Sequence, residues 1–198
     1  MNALMPAFCA ASAIVFATIA RETAKSHGLR VSLRRATAVV PTLVAAVSTT
    51  WMNTAGADGY AQATVLACAA VSAATDIQTG YVFDRVVLVA LAILLGLSIE
   101  SKALSISVTG AALTGGPLFV IHVMSRGRGI GLGDVKLGAI IGFGLGVTAG
   151  LEALRCAVLT AGCFGIVVLL CGRYRSQRWI RFAPFLAVGS AYAAIKCR

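Results

Sequence analysis

Two aspartates carry the chemistry in this 198-residue chain, which holds only seven acidic residues. Asp76 closes an apolar run in "CAAVSAATDIQTGYVFDR", and Asp134 opens another in "RGRGIGLGDVKLGAIIGFGLG". Carboxylates at the same ends of two helices, at similar depth, can be brought to one place by a small helical bundle. Two carboxyls about 3 Å apart cannot both ionise cheaply, so one keeps its proton and the other its charge. The charged one can take a proton from water while the protonated one polarises a carbonyl. This is the chemistry of aspartic peptidases, and it calls for no cofactor, metal ion or nucleophilic side chain. It does need water, which suits a site at the edge of a membrane rather than at its midplane.

The other acids have plainer readings. Asp58, Glu100 and Glu152 fall at outer turns, and Glu22 sits among basic residues with Arg21 or Lys25 to pair with. Asp84 is a third acid on the inner side. Around Asp134, alternating Gly129, Gly131 and Gly133 admit backbone angles closed to other residues and a close approach by a peptide. Gly131 and Gly133, with Lys136, form the candidate active-site loop. Lys136 itself, two residues beyond Asp134, points to another side of a helix and reads as a cytoplasmic anchor. Gly138, Gly142, Gly146 and Gly150 recur every fourth residue and predict one helix stripe for backbone-to-backbone packing. The loop is not a nucleotide cradle: a GxGxxG pattern needs glycine where Asp134 stands, and no GK[ST] follows. His122 reads as a hydrogen-bonded packing residue, and Pro117 as the site of a kink.

These residues must be positioned by elements that live in lipid. The chain is 59% hydrophobic and 12% charged, against roughly half and a quarter in soluble domains, and its mean hydropathy is +0.89. A span takes about 20 apolar residues, so there is room for seven to eight short-looped crossings and for no separate soluble domain. The expected organisation is one integral-membrane domain over residues 1–198, an all-α polytopic bundle. Apolar runs place the spans near 3–20, 36–52, 60–75, 86–99, 105–124, 137–151, 156–172 and 182–196. They are too long for membrane strands and lack their alternation.

With the N-terminus outside, 13 of the 17 basic residues fall in inward loops, leaving only Lys102, Arg155, Lys196 and Arg198 elsewhere. That asymmetry supports an eight-span arrangement. It also accounts for the net charge of +10, because inward loops lie against anionic lipid. The basic residues scatter over several loops instead of forming one face, so the expected partner is membrane lipid and not nucleic acid. The first apolar run has no basic residue before Arg21 and reads as a retained helix, not a secretory signal. The six cysteines form no CxxC pair, and five lie in or beside apolar runs, where they serve as small buried hydrophobes.

Gly131-Leu132-Gly133-Asp134, followed by Val135-Lys136-Leu137, resembles the GxGD signature of the type IV prepilin peptidases, a family of bacterial membrane aspartic peptidases. In that family a first aspartate is followed six residues later by a hydrophobic-Pro-Asn triplet, and Val82-Phe83-Asp84 stands at that spacing from Asp76. Phe83 replaces the usual proline. "RFAPFLAVG", from Arg181 to Gly189, is similar to the family's closing Pro-Phe-x-Pro-x-Leu element, and Pro184 suits the first turn of a last span. The resemblance spans roughly residues 60 to 190. It implies a multi-pass protein of the bacterial cytoplasmic membrane, with Asp76 and Asp134 as the catalytic pair. The implied substrates are prepilins or pseudopilins, cleaved at the cytoplasmic face. Full-length members carry a cytoplasmic methyltransferase domain between their first two spans. Here only "RETAKSHGLRVSLRR", residues 21–35, fills that interval, so the resemblance implies cleavage without N-methylation.

Presenilin-like enzymes share GxGD but place Tyr-Asp in an earlier span, whereas Thr75 precedes Asp76. An archaeal preflagellin peptidase is a closer variant. From other classes, the two acids would suit a small proton- or cation-coupled transporter, or a non-catalytic assembly subunit whose acids merely bound helices. Transporter sites tend to lie near the midplane between inverted repeats, and no internal repeat is evident.

Overall fold

The computed structural model describes residues 4–26, 57–171 and 181–197. The span expected at 36–52, and the basic residues Arg173, Arg175 and Arg178, lie outside the described residues. Among the described residues every regular element is a helix, as the all-α expectation requires: α1 (Leu4–Ser26), α2 (Ala57–Thr79), α3 (Asp84–Glu100), α4 (Leu104–Met124), α5 (Leu132–Leu170) and α6 (Ala183–Lys196). Two of them, α4 and α5, are long and apolar enough to cross a membrane.

The packing is that of helices solvated by hydrocarbon. Ile106, Phe119, Val123, Leu159, Ile166 and Leu169 all turn outward, while Thr64, Ser72, Thr75, Ser98, Thr114 and Ser190 are buried. Burying a leucine gains little when the solvent is itself apolar, so helices meet instead at small residues and hydroxyls. Apart from that of Ser72, those hydroxyls are satisfied locally: Ser98 donates to the Leu94 carbonyl (2.8 Å) and Thr75 to that of Ser72 (3.0 Å). Ser98 and Ser107 also meet at 3.1 Å, linking α3 to α4 across their short turn. α2 lies at the centre, packed against α1, α3, α5 and α6, with Val65, Cys68 and Val71 buried along it.

The sequence expectation fails in one place, and the cause is a single glycine. The turn expected near 151–156 is helical, and the break falls instead at Gly146, with φ 76° and ψ −173°. Such angles are closed to residues carrying a Cβ. The 39 residues of α5 therefore divide into a first arm, 132–145, and a second arm, 147–170. The chain folds back there. A Cβ built on Gly150 would stand 3.0 Å from the Gly142 Cα, whereas eight residues of straight helix separate two positions by about 12 Å. The four-residue glycine repeat is thus not one stripe: Gly138 and Gly142 line the first arm, Gly146 makes the bend, and Gly150 closes the second arm onto the first. Glu152 and Arg155, expected in a turn, are paired on the second arm at 2.7 Å, and Lys196 reaches Glu152 at 3.2 Å.

The backbone contact predicted for the glycines is present all the same. α4 packs most extensively on α5. A methyl group at Gly142 would collide with Thr114 Oγ1 and the Gly110 carbonyl, and one at Gly138 with Leu118. Thr114 spans the junction, its hydroxyl lying 2.8 Å from its own helix's Gly110 carbonyl and 2.9 Å from the Gly138 carbonyl of α5. Pro117, three residues on, lies within α4, which continues through it to Met124.

This contact makes opposite predictions for two glycines. Gly142→Ala overpacks a backbone junction and should destabilise the fold by about 1–3 kcal/mol. Gly96→Ala, on an open face of α3 with nothing near its would-be methyl, should be neutral or stabilising by up to about 1 kcal/mol. Thermal unfolding of the two purified variants in detergent, beside the parent chain, separates the signs; equal melting temperatures would refute the close contact.

Candidate active site

α2 ends where its geometry can no longer be continued. Gly80, with φ +74°, donates its amide to the Asp76 carbonyl at 2.8 Å, and the chain turns through Tyr81 and Val82 into α3. Asp76 thus occupies the last turn of α2. Its side chain is buried, and its Oδ2 accepts no hydrogen bond from the described residues. α3 opens with Asp84, a negative charge placed where a helix N-terminus favours it.

Asp134 lies at the opposite pole of a helix, in the first turn of α5. The Asp134 amide donates to the Gly131 carbonyl (3.2 Å), and Gly131 is the residue preceding the helix. Its carboxylate accepts hydrogen bonds from the backbone amides of Gly131 and Ala183, the second of these belonging to the first residue of α6. The half-buried Asp134 is therefore held between the mouths of two helices, whose amides and dipoles favour an anion, but burial, helped by the charge of Asp76, outweighs them and pushes its carboxyl up to about 6.

The two acids are brought to the same end of the bundle because the α2–α3 turn is seated on the start of α5. A Cβ on Gly133 would stand 2.8 Å from the Val82 Cβ, so any larger residue would push the turn away. Across this junction the charge of Asp76 acts on Asp134. A third element completes the arrangement. Arg181, just before α6, donates from its guanidinium to the Ile77 carbonyl, and its positive charge acts on Asp76. Residues 181–183 thus bear on both acids, on Asp76 through the charge of a guanidinium anchored one residue away on the Ile77 carbonyl, and on Asp134 through a backbone amide.

The loop leading to Asp134 is stapled by His122, whose Nδ1 lies 2.7 Å from the Ile130 carbonyl, in the packing role expected of it. Gly127 turns beside the same ring with φ +74°. Ser125 Oγ accepts the Gly129 amide at 3.1 Å. The expected active-site loop is smaller than the sequence suggested: Gly131 precedes α5, but Gly133 and Lys136 are already inside the helix. Lys136 is not merely an anchor. Its ammonium lies 2.7 Å from Asp84 Oδ1, across α5 and α3, at a site where both side chains are largely exposed. An exposed pair of this kind contributes about 0–1 kcal/mol, so its role is to fix the α3 mouth beside α5 more than to stabilise the fold.

Two participants were not legible in the sequence. Arg181 is one of four arginines between residues 173 and 181, with nothing local to single it out for a role at the acids, and the Ala183 amide has no sequence signature at all. Pro184 is a partial signal for the latter: it sits in the first turn of α6, as expected, and so marks Ala183 as a helix start with unpaired amides.

The chain matches the family model described as the type IV leader peptidase family over residues 63–170. It is 33% identical over 144 residues to a prepilin leader peptidase/N-methyltransferase of Burkholderia pseudomallei (strain 1026b), covering 69% of this chain and 47% of that protein. It is 41% identical over 76 residues to a protein of the same description from Bacillus subtilis (strain 168), covering 38% of this chain and 30% of that one. The aligned parts span less than half the length of these curated relatives. No solved structure matches the chain significantly. The matched segment contains α3, α4, all of α5, α2 from residue 63 onward, and both Asp76 and Asp134, and the chain belongs to the type IV leader peptidase family.

Proposed function

We propose that this chain is a membrane-embedded aspartic endopeptidase that removes the N-terminal leader of type IV prepilins or pseudopilins. The observation that supports the reading is the placement of Asp76 and Asp134: two carboxyls from the ends of separate helices stand near enough for the charge of Asp76 to act on Asp134, in a segment matched by a leader peptidase family. One carboxylate accepts a proton from water, and the resulting hydroxide attacks the scissile carbonyl carbon. The other carboxyl, protonated, donates to the carbonyl oxygen. The tetrahedral intermediate then collapses: the C–N bond breaks, the proton taken from water passes to the departing amine, and a hydroxyl proton of the intermediate returns to the carboxyl that had donated one.

The same reading places the site at the cytoplasmic face of a bacterial inner membrane, in an eight-span, N-outside bundle. The fold-back at Gly146 favours this arrangement. It brings the α5 bend beside Ile106, near the α3–α4 turn, while Asp76, Asp134 and Arg181 gather at the other end. With α5 counted as two crossings, the 13 basic residues remain inward. Both acids at one end also argue against a midplane ion site of the transporter kind. The short interval at 21–35 supports cleavage without methyl transfer.

Two outcomes test these statements. In membranes carrying a cognate prepilin, Asp76→Asn and Asp134→Asn should each lower cleavage by about 10²-fold or more while inserting normally on a blot. A correctly inserted Asn variant that cuts at the parent rate would sink the dyad. Secondly, mature pilin released by the purified chain in the presence of S-adenosylmethionine should carry an unmethylated α-amino group by mass spectrometry; a 14 Da increment, the mass of one added methylene (on the order of one CH₂ per site), would show that methyl transfer accompanies cleavage.

A further inference from the structure

Arg181 holds a place at the site that the proposed chemistry leaves unused. Its guanidinium bonds the Ile77 carbonyl, one of the last-turn carbonyls of α2 that no helical amide reaches. A cation there complements the negative end of the helix. The same group lies against the Gly80 turn, its Nη2 4.0 Å from where a glycine Cβ would stand. Its charge acts on Asp76, one residue before the carbonyl that anchors it. Two residues later the Ala183 amide reaches Asp134. The planar, five-donor guanidinium can hold a carbonyl and face a carboxylate at once, which a lysine ammonium does less well.

The two acids are therefore not equivalent. Burial pushes both carboxyls above their ordinary range; the Arg181 charge partly offsets this at Asp76, whereas the charge of Asp76 adds to it at Asp134, against the pull of the Gly131 and Ala183 amides. We propose that Arg181 is a positioning residue of the peptidase site: anchored on the Ile77 carbonyl, it keeps the negative charge of the pair on Asp76 and leaves the shared proton to Asp134. Asp76 is then the group that deprotonates water, and Asp134 the one that polarises the scissile carbonyl. This rests on the peptidase reading of the same two acids.

Other charges bear on the same end of α2 and are part of the test. α1, packed along α2, carries Arg21, Glu22 and Lys25 in its last turns, and Asp84 and Lys136 neutralise each other at the mouth of α3. None is altered by changing Arg181. Without the guanidinium, Asp76 becomes harder to ionise, so activity needs a higher pH.

The experiment is the pH dependence of kcat/KM for prepilin cleavage by the full chain in detergent–lipid micelles. Arg181→Gln should move the acidic limb of the profile upward by about one pH unit, the low end of the effect of a nearby opposite charge because Arg181 is exposed. Arg181→Lys, which restores a cation, should return the limb most of the way to that of the parent. Arg181→Met is a second neutral variant and should behave like Gln. A neutral variant with the parent's limb overturns the proposal. So does a uniform loss of rate at all pH values that lysine fails to rescue, and so does the failure of both neutral variants to fold, since Arg181 would then serve the fold alone. The peptidase reading fails separately, through the two Asn variants, whose outcome does not depend on Arg181.

Discussion

Where α4 crosses the first arm of α5, two backbones touch, and the position of Asp134 follows from that contact. Gly110 and Gly142 leave no side chain between the helices, and Thr114 bridges the gap from its hydroxyl to the Gly138 carbonyl. In hydrocarbon, association is driven by such close van der Waals contact and by hydrogen bonds that have no water to compete with them. The first arm is held on its other sides as well. Gly144 faces Val65 of α2 and Leu94 of α3, and Gly150 of the second arm lies against Gly142. A short helix gripped on all sides is a rigid mount, and its first turn carries Asp134. Rigid elements hold a reacting group more closely than a loop does.

The bend at Gly146 makes that mount possible. A continuous 39-residue helix would be about 58 Å long, nearly twice the hydrocarbon thickness of a bilayer. Folding it in two supplies a neighbour for the first arm from the same chain. It also sends the second arm back along α6, where Gly189 approaches the Ala153 backbone. α6 is thereby aligned so that the residues leading into it, Arg181 to Ala183, return to the end of the bundle where the acids lie. One backbone angle thus determines where both Asp134 and its amide partner are found.

The parts legible in the sequence were those written in residue type and local spacing. The two acids, the glycine loop ahead of Asp134, the helix start marked by Pro184 and the packing role of His122 all depend on short-range patterns. What escaped depended on backbone geometry or on contacts between distant segments. Glycine every fourth residue has the same appearance whether it packs a straight helix or includes a bend, because only φ distinguishes Gly146 from Gly142. The Lys136–Asp84 pair joins residues 52 apart, and the rule that residues i and i+2 do not face each other excludes only partners within one helix. Arg181 was hidden in another way: among arginines of one segment, composition cannot say which returns to a helix end 104 residues earlier.

The asymmetry of the acid pair follows from the same architecture. An acid at a helix C-terminus faces carbonyls and the negative end of a dipole, so its charge is unfavourable unless a cation is supplied; an acid at an N-terminus faces amides that welcome it. Asp76 and Asp134 stand at these two opposite poles. With no added group, helix polarity alone would put the charge on Asp134. Arg181 opposes that bias by capping the α2 carbonyls with a positive charge, and the charge of Asp76 then acts on Asp134. A dyad built from a C-terminus and an N-terminus therefore needs a cation on the C-terminal side if Asp76 is to be the base, and the fold places Arg181 there.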